Sequence, residues 1–314
     1  MSKIDRVLRS NLKLRHLQLL VALDQFRHLG RAAEFLAVTQ PAVSKTLAEV
    51  ERMLGMVLFE RSTRGTEPTA AGVSMVRFAR SVLAGFERTR DEMAAEASGA
   101  RGRTSVGAMV VATPVLLAQA VARLKDRSAQ STVLVEEGDL TRLLPKLRLG
   151  ELDLFVGRLE PGYAAPDLET EALFDEPMVA VVRPGHALLA PGAAHWQALA
   201  DQPCVLPPPW ASLRVKLEQQ FYAHGLHPPA DIVETASFLS QLTFVHQRGA
   251  VAFMARSVAR HHAALGTLAV LDLAVPIELP PVGLITLRGQ PPTPTTGLLL
   301  GCLRAVAATL RTGD

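Results

Sequence analysis

The sequence predicts a multidomain fold: an N-terminal all-α module with a small β hairpin, a long connecting helix, and a C-terminal α/β domain. Three observations carry this. Apolar residues between positions 32 and 54 recur at helical spacing over two short segments. An apolar stripe then runs from Thr69 to about Ala97. Beyond the hinge-like Ser98-Gly99-Ala100-Arg101-Gly102, short apolar runs alternate with helical patterns. The 314 residues are about twice an ordinary domain, and 48% hydrophobic with 20% charged residues excludes a disordered or fibrous chain.

From Leu12 to Leu23 the residues Leu14, Leu17, Leu20 and Val21 follow helical spacing until Arg27, His28 and Gly30 interrupt it. A second helix fits Arg31 to Ala37. In Val38-Thr39-Gln40-Pro41 the Thr39 hydroxyl can cap a new helix, and Pro41 in its first turn sacrifices no backbone hydrogen bond. This third helix is predicted to reach about Leu54 and to end at Gly55. Val57-Leu58-Phe59 followed by Arg61-Ser62-Thr63-Arg64-Gly65 reads as a short hairpin with a basic tip. In the long helix Val73, Val76, Ala79, Val82, Leu83, Phe86 and Met93 form one stripe that needs cover, from its own domain or from a two-helix dimer seam. We favour the seam. After the hinge, strands at Thr104 to Val110, Ser131 to Val135 and Leu152 to Val156 alternate with helices through Leu116 to Lys125 and Leu140 to Leu149, an α/β domain with parallel strands. Further short strands are expected at Met178 to Val182, Cys204 to Leu206, Ala250 to Met254 and Val282 to Leu287.

Charge is uneven along the chain. Residues 1–95 hold 15 Lys+Arg against 10 Asp+Glu, a net of +5, whereas residues 96–314 hold 18 against 20, a net of −2. A basic front module beside a near-neutral remainder points to a polyanionic partner. The first 20 residues interleave Lys3, Arg6, Arg9, Lys13 and Arg15 with apolar residues and lack the apolar core of a secretion signal. Ser105, Gly107, Thr113-Pro114 and Gln119 make Thr104 to Ala122 a poor membrane span. A cytoplasmic chain with no membrane partner is expected, and the two cysteines fit a reducing setting. No cofactor, metal or catalytic constellation is expected: phosphate-binding glycine motifs are absent, and Ser74 lacks the second glycine of a nucleophile elbow. His261-His262 would splay by about 100° on a helix with no third ligand at metal spacing. Cys204 and Cys302 lie in apolar runs where thiols are inert.

In the region 32–54, Ala32, Ala33, Leu36, Val38, Val43, Leu47, Val50 and Leu54 would bury one face of each helix against the other, with Ala33 and Ala42 small enough for close approach. Gln40, Ser44, Lys45, Ala48 and Glu49 remain outward on the second helix. Gln reads adenine bidentately, Ser and Lys reach base edges or phosphates, and short side chains let a helix sink into a major groove. The same spacing fits the solvated face of an ordinary helical bundle.

Ala32-Ala33, Leu36, Thr39-Gln40-Pro41-Ala42-Val43-Ser44, Leu47, Val50-Glu51, Leu54-Gly55, Leu58-Phe59, Arg61 and Thr69-x-Ala71-Gly72 together resemble the N-terminal signature of LysR-type transcriptional regulators. The resemblance implies a winged helix-turn-helix domain at 1–68, with base and backbone contacts from Gln40, Pro41, Ser44 and Lys45 and phosphate or minor-groove contacts from a wing at Arg61 and Arg64. It implies a dimerising linker helix at 69–98. It also implies an effector-binding domain at 102–314 of two lobes, similar in architecture to periplasmic binding proteins. Lobe I would cover about 102–160 and 270–314 and lobe II about 161–269, with the crossover strands following Gly157 and Leu268. Leu143-Leu144 with Leu147, Gly150-Glu151-Leu152-Asp153-Leu154 and Val156-Gly157-Arg158 resemble the first-lobe signature. Val181-Val182-Arg183-Pro184-Gly185-His186 and Leu206-Pro207-Pro208-Pro209 most resemble the branch regulating protocatechuate-type aromatic-acid and sugar-uptake operons. Two departures stand out: about ten residues precede the usual start, and Arg27-His28-Leu29 stands where family members often carry a small residue and an aromatic.

In such a fold an effector sits in the cleft at strand ends, where loops and helix N-termini present N–H groups to an anion. The candidates are Val111, Ala112 and Thr113 after the first strand, Gly157 and Arg158 at the crossover, and Ser237 and Phe238 before the helix carrying Leu239 and Leu242. The Arg158 guanidinium either takes a carboxylate bidentately or makes an interlobe salt bridge. The expected function is a transcriptional regulator that binds a double-stranded DNA operator as a homotetramer, a dimer of dimers. A small, anionic effector would switch it, through a change in its contact with RNA polymerase. A solute-binding protein or small-molecule enzyme of the same α/β architecture is the alternative.

Overall fold

The structure is a computed structural model that describes residues 3–62, 65–98, 102–209 and 211–311. It divides into two compact units, residues 1–102 with 145–152 and residues 103–144 with 153–314.

In the first unit, Lys3–Arg6 (α1) runs into a π-helical turn, Val7–Asn11, ahead of Leu14–Phe26 (α2), Leu29–Phe35 (α3) and Gln40–Leu54 (α4). An antiparallel hairpin of Phe59–Ser62 (β1) and Gly65–Pro68 (β2) leads to Ala70–Ser98 (α5). Leu20 and Leu23 of α2, Ala32 and Ala33 of α3, and Val43, Leu47 and Val50 of α4 share one core with Val7, Leu58, Phe59, Val76 and Ala79. Two details differ from the expected helix contact. Ala37 adopts a left-handed φ of 54°, and the Val38 and Ala37 amides close back onto Ala33 O at 3.0 Å and Glu34 O at 3.1 Å, a Schellman-type stop. That reversal points Val38 into solvent, and Ala42 is exposed as well, so the close approach rests on Ala32 and Ala33 instead. The α5 stripe is divided too. Val76 and Ala79 are buried and Val82 and Leu83 half-covered by their own domain, whereas Val73, Phe86 and Met93 stay exposed, as does Phe78 beside them.

The second unit holds two five-stranded sheets. The first comprises Arg103–Ala108 (β3), Thr132–Glu137 (β4), Leu154–Arg158 (β5), Leu168–Phe174 (β6) and, from the far end of the chain, Val282–Leu287 (β12). Its order is β4-β3-β5-β12-β6, with β3 parallel to both neighbours and β12 antiparallel to both of its own. A π-helical turn, Thr113–Leu117, opens Ala118–Arg127 (α6); Leu140–Leu149 (α7) precedes β5, and Pro294–Arg311 (α12) closes the chain over the sheet. The second sheet takes Met178–Val182 (β7), Cys204–Leu206 (β8), Ile232–Glu234 (β9), Val251–Ala255 (β10) and Ala269–Val270 (β11) in the order β11-β7-β10-β8-β9. It carries the helices Trp196–Ala200 (α8), Ser212–Ala223 (α9), Phe238–Arg248 (α10) and Arg256–Ala264 (α11).

Both sheets are mixed rather than parallel throughout: β7 runs antiparallel to β10 and β11, as β12 does to β5 and β6. The lobe boundary also moves. β6, at 168–174, lies within 161–269, the stretch expected in lobe II, yet it pairs along β12 and so belongs to the first sheet. The chain therefore crosses at 175–177, not after Gly157. It returns at 280–281, because Leu271 and Ile277 still pack in the core of the second sheet. Gly283 is required where β12 meets β6, since a Cβ there would stand 2.3 Å from Glu171 O.

Candidate nucleic-acid interface and effector site

The helix α4 begins where the sequence places it. Thr39 is its N-cap, the Oγ1 accepting from the Ala42 amide at 3.4 Å, and Gly55 ends it at φ 72°. With Val43, Leu47, Val50 and Leu54 turned inward, Gln40, Pro41, Lys45 and Ala48 are exposed and Ser44 and Glu49 half-exposed along the opposite face. Arg61 is exposed on β1; Arg64, with Thr63, lies outside the described residues.

The hairpin is fixed to this helix by residues that spacing did not single out. Glu51 Oε1 accepts from the amides of Leu58 at 2.8 Å and Phe59 at 3.1 Å. An acid in the last turn of a helix opposes the helix dipole and needs another partner, which is the signal that could have found it. Thr69 Oγ1 donates to Val57 O at 2.8 Å and accepts from the Gly72 amide at 3.0 Å. A Cβ on Gly72 would meet Leu58 O at 2.0 Å. On the other strand Thr66 N donates to Arg27 O at 2.9 Å. The Arg27 side chain pairs with Asp24 at 2.9 Å and with Glu67, and Asp24 also binds Arg80 at 3.0 Å. The unusual Arg27 is thus a clasp between α2 and the hairpin. His28 beside it caps α3, its Nδ1 accepting from the Gly30 amide at 3.0 Å.

In the second unit the seven candidate effector residues separate into two sets. Val111 of the first lobe and Phe238 of the second both pack against one apolar cluster of second-lobe residues that includes Val181, Val245 and Val258. Thr113 is half-exposed there, its Oγ1 donating to Met109 O at 3.2 Å. Ser237 is exposed and caps α10, accepting from the Ser240 amide at 3.3 Å. Ala112, Gly157 and Arg158 lie below the surface.

Arg158 is only 5% exposed. Its Nη1 donates to Pro280 O and its Nη2 to Glu176 O, both at 2.8 Å. Those carbonyls belong to the two crossover segments, so the guanidinium ties them together; of the two roles read for it, the structure places it between the lobes, bonded to carbonyls rather than in a salt bridge. Burial lowers its pKa, against the opposing charges of Glu176 and Glu160. Beside it the buried Glu176 accepts from the Ser257 amide at 3.0 Å at the start of α11. A cavity of about 470 Å³ opens there, walled by Val115, Gln119, Phe174–Pro177, Arg256, Arg260, His261 and Arg311, and it includes none of the seven candidates. Cys204 is buried and its thiol is pushed up to about 12, chiefly by desolvation, which removes the thiolate needed for reactivity. Among the described residues no helix is long and apolar enough to cross a membrane, and no group of three metal-ligating side chains occurs.

Residues 14–73 match the family described as bacterial regulatory helix-turn-helix protein, lysR family, and residues 97–308 match the LysR substrate binding domain. The chain is 34% identical over 305 residues to the HTH-type transcriptional regulator GbpR of Azospirillum brasilense, covering 96% of this chain and 89% of that one. It is 31% identical over 302 residues to the HTH-type transcriptional regulator PcaQ of Agrobacterium fabrum (strain C58 / ATCC 33970), covering 96% and 97%. Full-length CbnR complexed with its target DNA superposes with a TM-score of 0.70 at 20% identity over 94% of this chain and 100% of that one, a likeness of fold.

Proposed function

The chain belongs to the LysR family of transcriptional regulators, and on that premise we propose how its residues carry out regulation. α4 enters the major groove of an operator, with Gln40 and Ser44 toward base edges and Pro41 and Lys45 along the backbone. Arg61 and Arg64 of the wing reach phosphates or the adjacent minor groove. The observation that carries this reading is the division of α4 into a buried apolar face and an outward face holding Gln40, Pro41, Ser44 and Lys45. The exposed Phe86 and Met93, seven residues apart beyond the part of α5 covered by its own domain, form the seam of a dimer. Two dimers make the homotetramer.

A small organic anion binds between the lobes near Val111, Thr113, Ser237 and Phe238, and the change in lobe arrangement alters the DNA bend and contact with RNA polymerase. Ala112 and Gly157 shape the floor, and Arg158 holds the crossovers. The protein works in the cytoplasm, where its operator is. The experiment is selection of a preferred duplex from a random pool, followed by footprinting with wild type and Gln40→Ala. The variant should lose about 1 to 3 kcal/mol at one base position. Equal loss on the selected and random duplexes would remove Gln40 from base reading. A crystal structure with a bound aromatic or sugar acid locates the effector; density in the Arg256–Arg260 cavity instead would overturn the Thr113–Ser237 placement.

A further inference from the structure

The net +5 of residues 1–95 is not where base reading is expected. α4 carries Lys45 and Arg52 against Glu49 and Glu51, and the hairpin carries Arg61 and Arg64 against Glu60 and Glu67, so both are neutral. Residues 1–15 hold five basic residues against the single Asp5, a net of +4, which is nearly the whole excess. All of them but Arg15 precede residue 14, where the match to the helix-turn-helix family begins.

The structure gives the segment a defined place. The π-helical turn Val7–Asn11 packs against α4, and Val7 is buried in the core that α4 shares with α2 and α3. The following turn is held by the Lys13 amide on His16 Nδ1 at 3.3 Å, and Glu49 of α4 is close enough to act on the His16 charge. Arg6 and Arg9, three residues apart and turned away from Val7, are exposed, as are Lys13 and Arg15. None of these four forms an ion pair among the described residues. Arg27 and Arg80 of the same unit, by contrast, are ion-paired, Arg27 with Asp24 and Glu67 and Arg80 with Asp24 and Glu151.

We propose that Arg6, Arg9 and Lys13 bind DNA backbone phosphates beside the groove that α4 occupies, so that this segment supplies a share of the electrostatic affinity in addition to that of the recognition helix and the hairpin. The inference rests on the reading of α4 as the groove helix. Duplex DNA is a dense line of phosphate charge, and each phosphate neutralised by a Lys or Arg releases condensed counterions. A segment of net +4 anchored on the same core as α4 adds its own phosphate contacts to those of the helix and the hairpin, and meets the phosphates with little acidic charge of its own to oppose them. Such contacts set affinity and register without reading sequence.

The test uses the full chain with Arg6→Gln, Arg9→Gln and Lys13→Gln combined, on the duplex selected by wild type and on a random-sequence duplex of equal length, between 50 and 200 mM KCl. Three lost phosphate contacts should flatten the slope of log affinity against log salt by about 2 to 3, at roughly 0.9 per contact. Over that salt range wild type should then lose about 40-fold more affinity than the variant. Both duplexes should weaken by the same factor at each salt concentration. An unchanged slope overturns the proposal, and so does a deficit confined to the selected duplex. The charge-preserving Arg6→Lys, Arg9→Lys, Lys13→Arg combination should keep the wild-type slope; if it flattens as well, the effect is one of folding and the proposal falls. A wild type that binds both duplexes equally would sink the base-reading role of α4 while leaving the slope comparison to judge this segment.

Discussion

Replacing Arg158 by methionine separates a structural role from a ligand role at one position. Methionine keeps much of the stem volume but leaves Pro280 O and Glu176 O without the donors they now have at 2.8 Å. A hydrogen bond from a charged donor is worth about 1.5 to 3 kcal/mol. Two of them, offset by relief from holding a buried guanidinium out of water, leave a net loss of about 3 kcal/mol. For a domain of this size each kcal/mol lowers Tm by about 2 to 4 °C, so the melting of the effector domain should fall by about 6 to 12 °C. Calorimetry of the full chain, followed by effector titration below the lowered transition, reads both quantities. Effector binding should persist in the folded variant. A transition within about 2 °C of wild type, combined with loss of effector binding, would refute the crossover role and make Arg158 the anchor of a bound carboxylate.

Two further outcomes follow from the first unit. Phe86→Glu with Met93→Glu places charge on the exposed part of α5 and should dissociate dimers in sedimentation without lowering the melting of the helix-turn-helix; unchanged mass would show that the seam lies elsewhere. His16 is buried with its Nε2 unpartnered among the described residues, and desolvation lowers its pKa below the ordinary 6.5. The unfolded chain therefore takes up the proton more readily, so its contribution is complete above about pH 6.5 and is lost as the pH falls from there toward the folded-state value. The unfolding free energy from urea titration should drop between pH 7.5 and 5.5, by at most about 1.4 kcal/mol per pH unit from this one group, and the drop should shrink in His16→Gln. Identical pH profiles for the two proteins would exclude His16 as the source.

The helix α4 was legible because its signals are local. Thr39, Pro41 and Gly55 mark its ends within seventeen residues, and its four inward residues sit at helical spacing. Val38 misled because the stop before it uses a left-handed alanine, a conformation that only glycine announces in a sequence. β6 was missed for a different reason. Leu-Glu-Thr-Glu-Ala-Leu-Phe suits a helix as well as a strand, and its pairing partner β12 lies more than a hundred residues away. Arg158 bonds Pro280 across 122 positions, so no local pattern could tell a ligand contact from a crossover tie. The basic segment before residue 14 was visible as charge, but only the burial of Val7 places it beside α4.

The position of β12 between β5 and β6 sets an order of events during synthesis. The ribosome must make about 110 residues after Phe174 before Val282 emerges, which takes roughly 5 to 20 s at ordinary elongation rates. The second lobe is one unbroken stretch that is made within that interval. The first lobe was started earlier but waits with two strand edges unfilled, each a template for pairing with another chain. Its completion therefore waits for β12 to be made, and a nascent chain released before β12 carries a second lobe beside an open first one.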